Sequence, residues 1–272
     1  MERELPTFDI EGTTFVVDVL RNELHERDNP INNISFSQLR DVPDGYLIEY
    51  NPQTRNVADP WDDETELISV VLPQLTSLDP EGMAKKYGYS STEDIQGKTD
   101  LEVLMGQEAL KERLRGKLPT LDILGHTFYV DIFMNCIRPK DDFTTLGINL
   151  QDLEDYLDEE TARYRFPYNP QKHQMERLDY YTITSIPKGI VPIEFPYEKE
   201  LDPVGYARAH GFDLEEVLLE APMKAHSQAK VITWEDLYVP QIIQENIEWK
   251  KMEGQDTDKP DEDEELKHGR GR

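Results

Sequence analysis

The stretch Leu5–Asp18, LPTFDIEGTTFVVD, returns at Leu118–Asp131 as LPTLDILGHTFYVD, with ten of fourteen positions identical in a gapless alignment. Self-similarity at a fixed spacing decides architecture before any other signal is read. Two further anchors keep the same order. Tyr50-Asn51-Pro52-Gln53 recurs as Tyr168-Asn169-Pro170-Gln171, and LDPEGMAKKYG at Leu78–Gly88 recurs as LDPVGYARAHG at Leu201–Gly211. The offset grows from 113 positions (Leu5 to Leu118) through 118 (Tyr50 to Tyr168) to 123 (Leu78 to Leu201). A spacing of that size is too long for a solenoid repeat and matches a globular unit with its own core. The second copy gains five residues before its YNPQ anchor, placed in the loop around Glu154–Glu160, where insertions are cheapest.

The local patterns predict the elements. Phe8–Ile10 and Thr14–Val19 are apolar, β-branched runs around Glu11-Gly12, which reads as a β-hairpin. Leu121–Ile123, Leu124-Gly125 and Thr127–Ile132 repeat it. A polar, Asn-rich connector follows at Asn22–Asn33. Tyr46–Tyr50 alternates as a half-buried strand does. Leu67–Leu72 and Tyr180–Ile186 are further strand candidates, and Pro192 assigns Gly189–Phe195 to an edge or a bulge. In both LDPxG segments Asp is a helix N-cap, Pro the first helical residue and Gly the stop. Glycine at the third helical position predicts close packing against a neighbour. Asp100–Leu114 reads as one helix with Leu101, Leu104, Ala109, Leu110 and Leu114 near one face. Thr233–Asp236 is a variant capping box before a helix over Gln241–Met252.

The resulting expectation is an α+β fold: two tandem diverged copies of one unit, each an antiparallel sheet with β-hairpins plus short helices. The boundaries read as 1–115, 116–232, a C-terminal helix at 233–252 and a disordered acidic tail at 253–272.

The net charge is −27. Residues 1–117 carry 24 acidic and 12 basic side chains, residues 118–252 carry 24 and 13, and residues 253–272 carry 8 and 4. The acidity therefore belongs to both units. A surface of this sign repels nucleic acid and anionic membranes and attracts a basic protein partner. Cys136 is the single cysteine, which excludes an internal disulfide. The longest clearly apolar run, Leu67–Pro73, is far short of a membrane span. These features point to a cytoplasmic protein.

Most site chemistries find no pattern here. The six histidines lack HExxH spacing, and one cysteine cannot build a thiolate zinc site. The acidic run Asp59–Glu66 lacks the glycine and closing glutamate of an EF-hand loop. GxSxG, GxGxxG and P-loop motifs are absent. Neither metal nor cofactor is implied. Cys136, flanked by apolar residues, reads as a packed thiol and not as a nucleophile.

The catalytic candidates left are Asp9 and Asp18 with their counterparts Asp122 and Asp131. If a hairpin register joined two of them, one carboxyl would have a raised pKa. The recognition candidates are Tyr50, Asn51, Tyr168 and Asn169, whose rings and amides a turn would expose. Because the recurring residues are apolar, turn and cap types, the leading functional expectation is a non-catalytic intracellular binding or accessory protein. The alternatives are an acidic DNA-mimic inhibitor and a carboxylate-dependent hydrolase or lyase.

Overall fold

The computed structural model describes residues 3–59, 66–142 and 144–256. The chain is α+β, with four largely antiparallel sheets and short helices among the described residues. It divides into two compact units. One holds the residues up to Pro119 together with Glu198–Ala225, and the other holds Thr120–Tyr197 and the residues from His226 onward.

In the first unit a four-stranded sheet runs in order β1 (Thr7–Ile10), β2 (Thr13–Asp18), β3 (Glu23–Glu26) and β4 (Asn29–Ser35). Ile10 lies opposite Thr13, so Glu11 and Gly12 form a two-residue turn with φ of 48° and 78°. Positive φ at both positions is the type I′ geometry that matches strand twist. The connector expected over Asn22–Asn33 is instead two strands. Asp18 closes the turn by accepting the N–H groups of Leu20 and Arg21, and Asn22 takes φ 60°. Leu24 and Ile34 then face the core, while Asn33 bonds Glu23 outside. Burial of alternate residues overrides the low strand propensity of asparagine.

The second sheet of this unit comprises β5 (Arg40–Val42), β6 (Gly45–Asn51), β7 (Asn56–Val57) and β8 (Ile68–Pro73), with β6 between β5 and its other partners. Helices α1 (Leu75–Leu78), α2 (Pro80–Lys86), α3 (Asp100–Met105) and α4 (Glu108–Leu114) follow. The single helix expected over Asp100–Leu114 is broken at Gly106-Gln107, where the Gln107 side chain takes the Leu104 carbonyl and its backbone turns extended. Asp100 explains the rest of this corner. Its carboxylate accepts Leu75 N, Thr76 N and the Tyr46 hydroxyl, capping α1 from a distant position. Desolvation and that charge push the Tyr46 phenol far above its usual range.

Helices α5 (Glu198–Leu201), α6 (Pro203–His210) and α7 (Leu214–Glu220) complete the first unit. Val204, Leu218 and Met223 join Phe15, Val17, Tyr50 and Leu72 in one core. The sequence repeat and the packing unit therefore have different boundaries, because the apolar faces of these helices find their core among the first 119 residues. Both LDPxG helices form as the caps require. Asp79 accepts Gly82 N at 2.9 Å, and Asp202 accepts Gly205 N at 3.0 Å. Each carboxylate also pairs with an arginine, Asp79 with Arg3 and Asp202 with Arg113. Gly82 meets the predicted close approach: a Cβ there would lie 2.5 Å from Val19.

In the second unit, β9 (Thr120–Ile123), β10 (His126–Asp131), β11 (Cys136–Pro139) and β12 (Ile148–Asn149) form one sheet. Its turn repeats the type I′ geometry at Leu124 and Gly125, with φ of 53° and 84°. The sheet gains a fifth, parallel strand, β17 (His226–Gln228). The companion sheet comprises β13 (Leu157–Asp158), β14 (Arg163–Asn169), β15 (Gln174–Met175), β16 (Val191–Pro196) and β18 (Lys230–Val231). Helix α8 runs Val239–Asp256.

Two expectations change here. Tyr180–Ile186 is turn and coil, because Asp179 captures Tyr181 N and the Thr182 hydroxyl while Asn246 takes the carbonyls of Tyr180 and Ile183. Strand β16 is not an edge: it lies between β14 and β18, with Pro192 opposite Pro167. Of the tail expected at 253–272, the backbone of α8 covers the first four residues and the remainder lies outside the described residues.

Candidate functional site

A three-residue 3-10 turn at Phe36–Gln38 follows β4 in the first unit, whereas a six-residue one at Gln151–Tyr156 follows β12 in the second. The next hairpin differs too. Val42 pairs with Gly45 across a two-residue loop, and Asp158 pairs with Arg163 across a longer one. The additional residues are acidic. Asp152, Glu154, Asp155, Asp158, Glu159 and Glu160 fall within ten positions that hold no lysine or arginine.

Of these, Asp152, Asp155, Asp158 and Glu160 form one wall of an open groove of about 930 Å³, which also takes in Arg165, Arg177, Tyr180 and, from the far segment, Asp236, Leu237, Tyr238 and Ile242. That volume lies within the range of ligand sites. Local chemistry holds the wall in place. Asp158 Oδ1 accepts the N–H groups of Glu160 and Thr161, closing the hairpin loop. The Thr161 hydroxyl, together with those amides and Arg165, holds the Asp158 carboxyl below the usual range. Asp236 is likewise held low by the Thr233 N–H and hydroxyl, a partial form of the expected capping box: the 3-10 turn Glu235–Leu237 starts from Trp234 with no side-chain cap bond to its backbone.

The two guanidinium groups in the groove are already spoken for. Arg165 reaches Asp158 at 2.6 Å and Glu194 at 3.2 Å, and Arg177 reaches Asp152 at 2.8 Å. Asp155 and Glu160 retain carboxylates with no cationic partner among the described residues. Aromatic rings complete the site. Tyr180 is pushed well above its usual pKa by burial and by Tyr156, so it stays a neutral donor. Tyr238 is 70% exposed and holds φ of 56°, a left-handed conformation that is uncommon outside glycine and directs the entry into α8. A groove with unpaired carboxylates and tyrosine faces suits an ammonium or guanidinium group through charge-assisted hydrogen bonds and cation–π contact.

The sequence candidates fall elsewhere. Asp9 lies opposite Thr14 and accepts its hydroxyl at 2.6 Å. Asp18 is four residues further along β2, about 13 Å away at strand rise. The register therefore keeps the two carboxylates apart, and each serves a local turn. Asp122 and Asp131 behave the same way, accepting Gly125 N and Met134 N. The rings of Tyr50 and Tyr168 are 1% and 0% exposed, so the turn that follows them leaves them in the core. Asn51 and Asn169 are also buried. Each is an acceptor that shapes the YNPQ turn, Asn51 for Gln53 N and Thr54 N, Asn169 for Gln171 N and Lys172 N. Asn169 additionally touches a smaller cleft of about 440 Å³ through its bond to Glu176.

The thiol of Cys136 is half-buried, and burial pushes its pKa up, which keeps it protonated and poorly nucleophilic. No cluster of three or more metal-ligating side chains occurs among the described residues, and no helix among them is long and apolar enough to cross a membrane. Most of the acidic run Asp59–Glu66 lies outside the described residues. The groove had one sequence signal, the six acidic residues among the nine positions 152–160, inside the length difference between the two stretches. Its far wall at Asp236–Ile242 had none. Comparison with protein families, curated proteins and solved structures finds no match to this chain.

Proposed function

We propose that this chain is a non-catalytic intracellular binding protein, built from two diverged copies of one α+β unit, that engages a basic protein partner. The observation behind this reading is the groove at Asp152–Glu160, where Arg165 and Arg177 are neutralised internally and Asp155 and Glu160 are not. The recurring residues supply turns, caps and core, so the features that differ between copies are where recognition evolves. The acidic insertion is the largest such feature. The reading disfavours phosphate mimicry, since carboxylates are interspersed with paired cations such as Arg55 with Glu26 and Lys172 with Glu176. It also disfavours carboxylate catalysis, because Asp9 and Asp18 do not converge.

The test is a fluorescence or calorimetric titration of the full chain with a tetra-arginine peptide at low and moderate salt. Saturable binding that weakens with salt is expected, with an Asp155→Asn, Glu160→Gln double variant losing at least roughly tenfold in affinity, about 1.4 kcal/mol. Unchanged affinity in that variant would remove the groove from the reading.

A further inference from the structure

The segment His226–Val231 closes two sheet edges of the second unit in succession. As β17 it lies parallel to β9, with Ser227 opposite Leu121 and the Ala229 N–H donating to the Asp122 carbonyl at 2.8 Å. As β18 it then lies antiparallel to β16, with Lys230 opposite Glu194, and the Ile232 N–H donates to the Pro192 carbonyl. The first unit has the same two edges. Strand β1 is TFDI where β9 is TLDI. Strands β8 and β16 share register, since Leu72 faces Tyr46 as Phe195 faces Tyr164.

In the first unit those edges stay open. Among the described residues β1 pairs only with β2, and β8 only with β6. Exposure follows: Leu121 is fully buried, whereas its counterpart Phe8 is only partly buried against the core and Thr7 and Asp9 are exposed. Glu194 is 9% exposed and its counterpart Val71 is 51% exposed. The sequence explains the asymmetry. From Gly211 to the 3-10 turn that begins at Glu235 the chain has room for α7, β17 and β18, whereas from Gly88 to the capping Thr99 it does not.

We propose that the open β1 edge of the first unit, continued by β8, accepts an extended lysine- or arginine-bearing segment of a partner protein as an added parallel strand. In a two-residue hairpin the pair flanking the turn is hydrogen-bonded and the pattern then alternates. The Thr7 and Asp9 backbone groups therefore face outward, as the Asp122 carbonyl does toward Ala229. Strand β1, TFDI, bears no lysine or proline, and β8 carries its proline only at its last residue, Pro73. Such an open edge is a template for strand addition, in which main-chain bonds supply affinity and alternate side chains supply specificity. Charge selects the occupant. Asp9 and Glu11 lie on this edge and turn, and Glu49 lies on the exposed face beside Ser69. In the second unit the lysine of the capping strand, Lys230, sits 3.9 Å from Glu194. Val71 stands in the place of Glu194 in the first unit, so selection for a basic occupant there rests on Asp9, Glu11 and Glu49. This surface belongs to a different unit from the groove, so either can fail without the other.

The probe is an end-blocked peptide of residues 224–233, KAHSQAKVIT, added to the isotope-labelled full chain. Saturable amide shifts at Thr7, Asp9, Val70 and Val71 are expected, with slowed hydrogen exchange at Thr7 and Asp9. Asp9→Pro deletes one outward N–H and keeps the β2 ladder, so it should weaken binding at least roughly tenfold, while Asp9→Ala stays within about threefold. A peptide with proline at Ser227 and Ala229, the residues whose N–H groups face the β9 side in the second unit, should not bind. The proposal is overturned if the wild-type chain shows no saturable shifts, if shifts fall at Asp155 and Glu160 instead, or if the proline peptide binds equally. It is also overturned if the free protein self-associates through this edge and Asp9→Pro abolishes that, which would make a second copy the occupant.

Discussion

Phe8 and Leu121 occupy the same place in two hairpins that share turn geometry and register, yet one is partly buried and the other is sealed. The difference lies outside the hairpins, in a strand that only the second copy has chain enough to supply. A second contrast concerns the tyrosines before the YNPQ turns. The Tyr168 hydroxyl meets His173 Nδ1 at 3.2 Å, whereas the buried Tyr50 hydroxyl has no partner. Arg55 stands at the position of His173 and turns away to Glu26 at 2.5 Å. The two hairpins thus share local geometry while their edges and the contacts around the following tyrosines differ.

The largest expected effect separates the two aspartate caps. Arg113 and Asp202 are 7% and 0% exposed, so Asp202→Ala strands a buried guanidinium and should cost about 3–5 kcal/mol in denaturant unfolding. Asp79→Ala leaves Arg3, at 23% exposed, within reach of water, and should cost only about 1–2 kcal/mol, near the value of a lost cap. Equal losses would break the distinction.

Next come the hairpin pair. Leu121→Ala should destabilise by about 2–4 kcal/mol through cavity formation, and Phe8→Ala by less than about 2 because its ring is already partly solvated. The same melts would show whether the added strand β17 is responsible. Smaller again is the hydroxyl contrast. Tyr168→Phe should cost about 0.5–1.5 kcal/mol, while Tyr50→Phe should be neutral or stabilising because it removes an unpaired buried group.

The smallest effect is with acid. Asp158 and Asp236 have pKa values below the ordinary 3.8, through Thr161 and Thr233 respectively. Glu26 lies below 4.5 through Asn32 and Arg55. Lowered folded values mean that the stabilisation is complete above the ordinary carboxylate pKa and is lost as pH falls through the folded one. Carboxyl-carbon titration by NMR should place all three midpoints below those references. A midpoint at or above the reference for Asp158 or Asp236 would dissociate the groove loops from their hydrogen bonds.

The hairpin turns at Gly12 and Gly125, the Asn turns after Tyr50 and Tyr168, and the Asp-Pro caps of α2 and α6 were all legible in the sequence. Each obeys a rule that spans only a few residues. The strands at Glu23–Ser35 were hidden because their inward residues, Leu24 and Ile34, are scattered among asparagines. The break at Gly106-Gln107 depends on one side chain reaching back to Leu104. The coil at Tyr180–Ile186 depends on Asn246, sixty-odd positions downstream.

By itself the sequence determined the recurring residue pattern, the antiparallel hairpins and capped helices, and the acidity of both halves of the chain, because backbone sterics, capping and charge act locally. Tertiary structure decided that α6 and α7 bury their apolar faces in the first unit, that Tyr50 and Tyr168 are core, and that the acidic run at 152–160 faces Asp236–Ile242 across a groove. It also decided which hairpin edge is sealed. Those outcomes depend on which surfaces meet when the chain closes over long loops, and no local pattern of residues encodes that meeting.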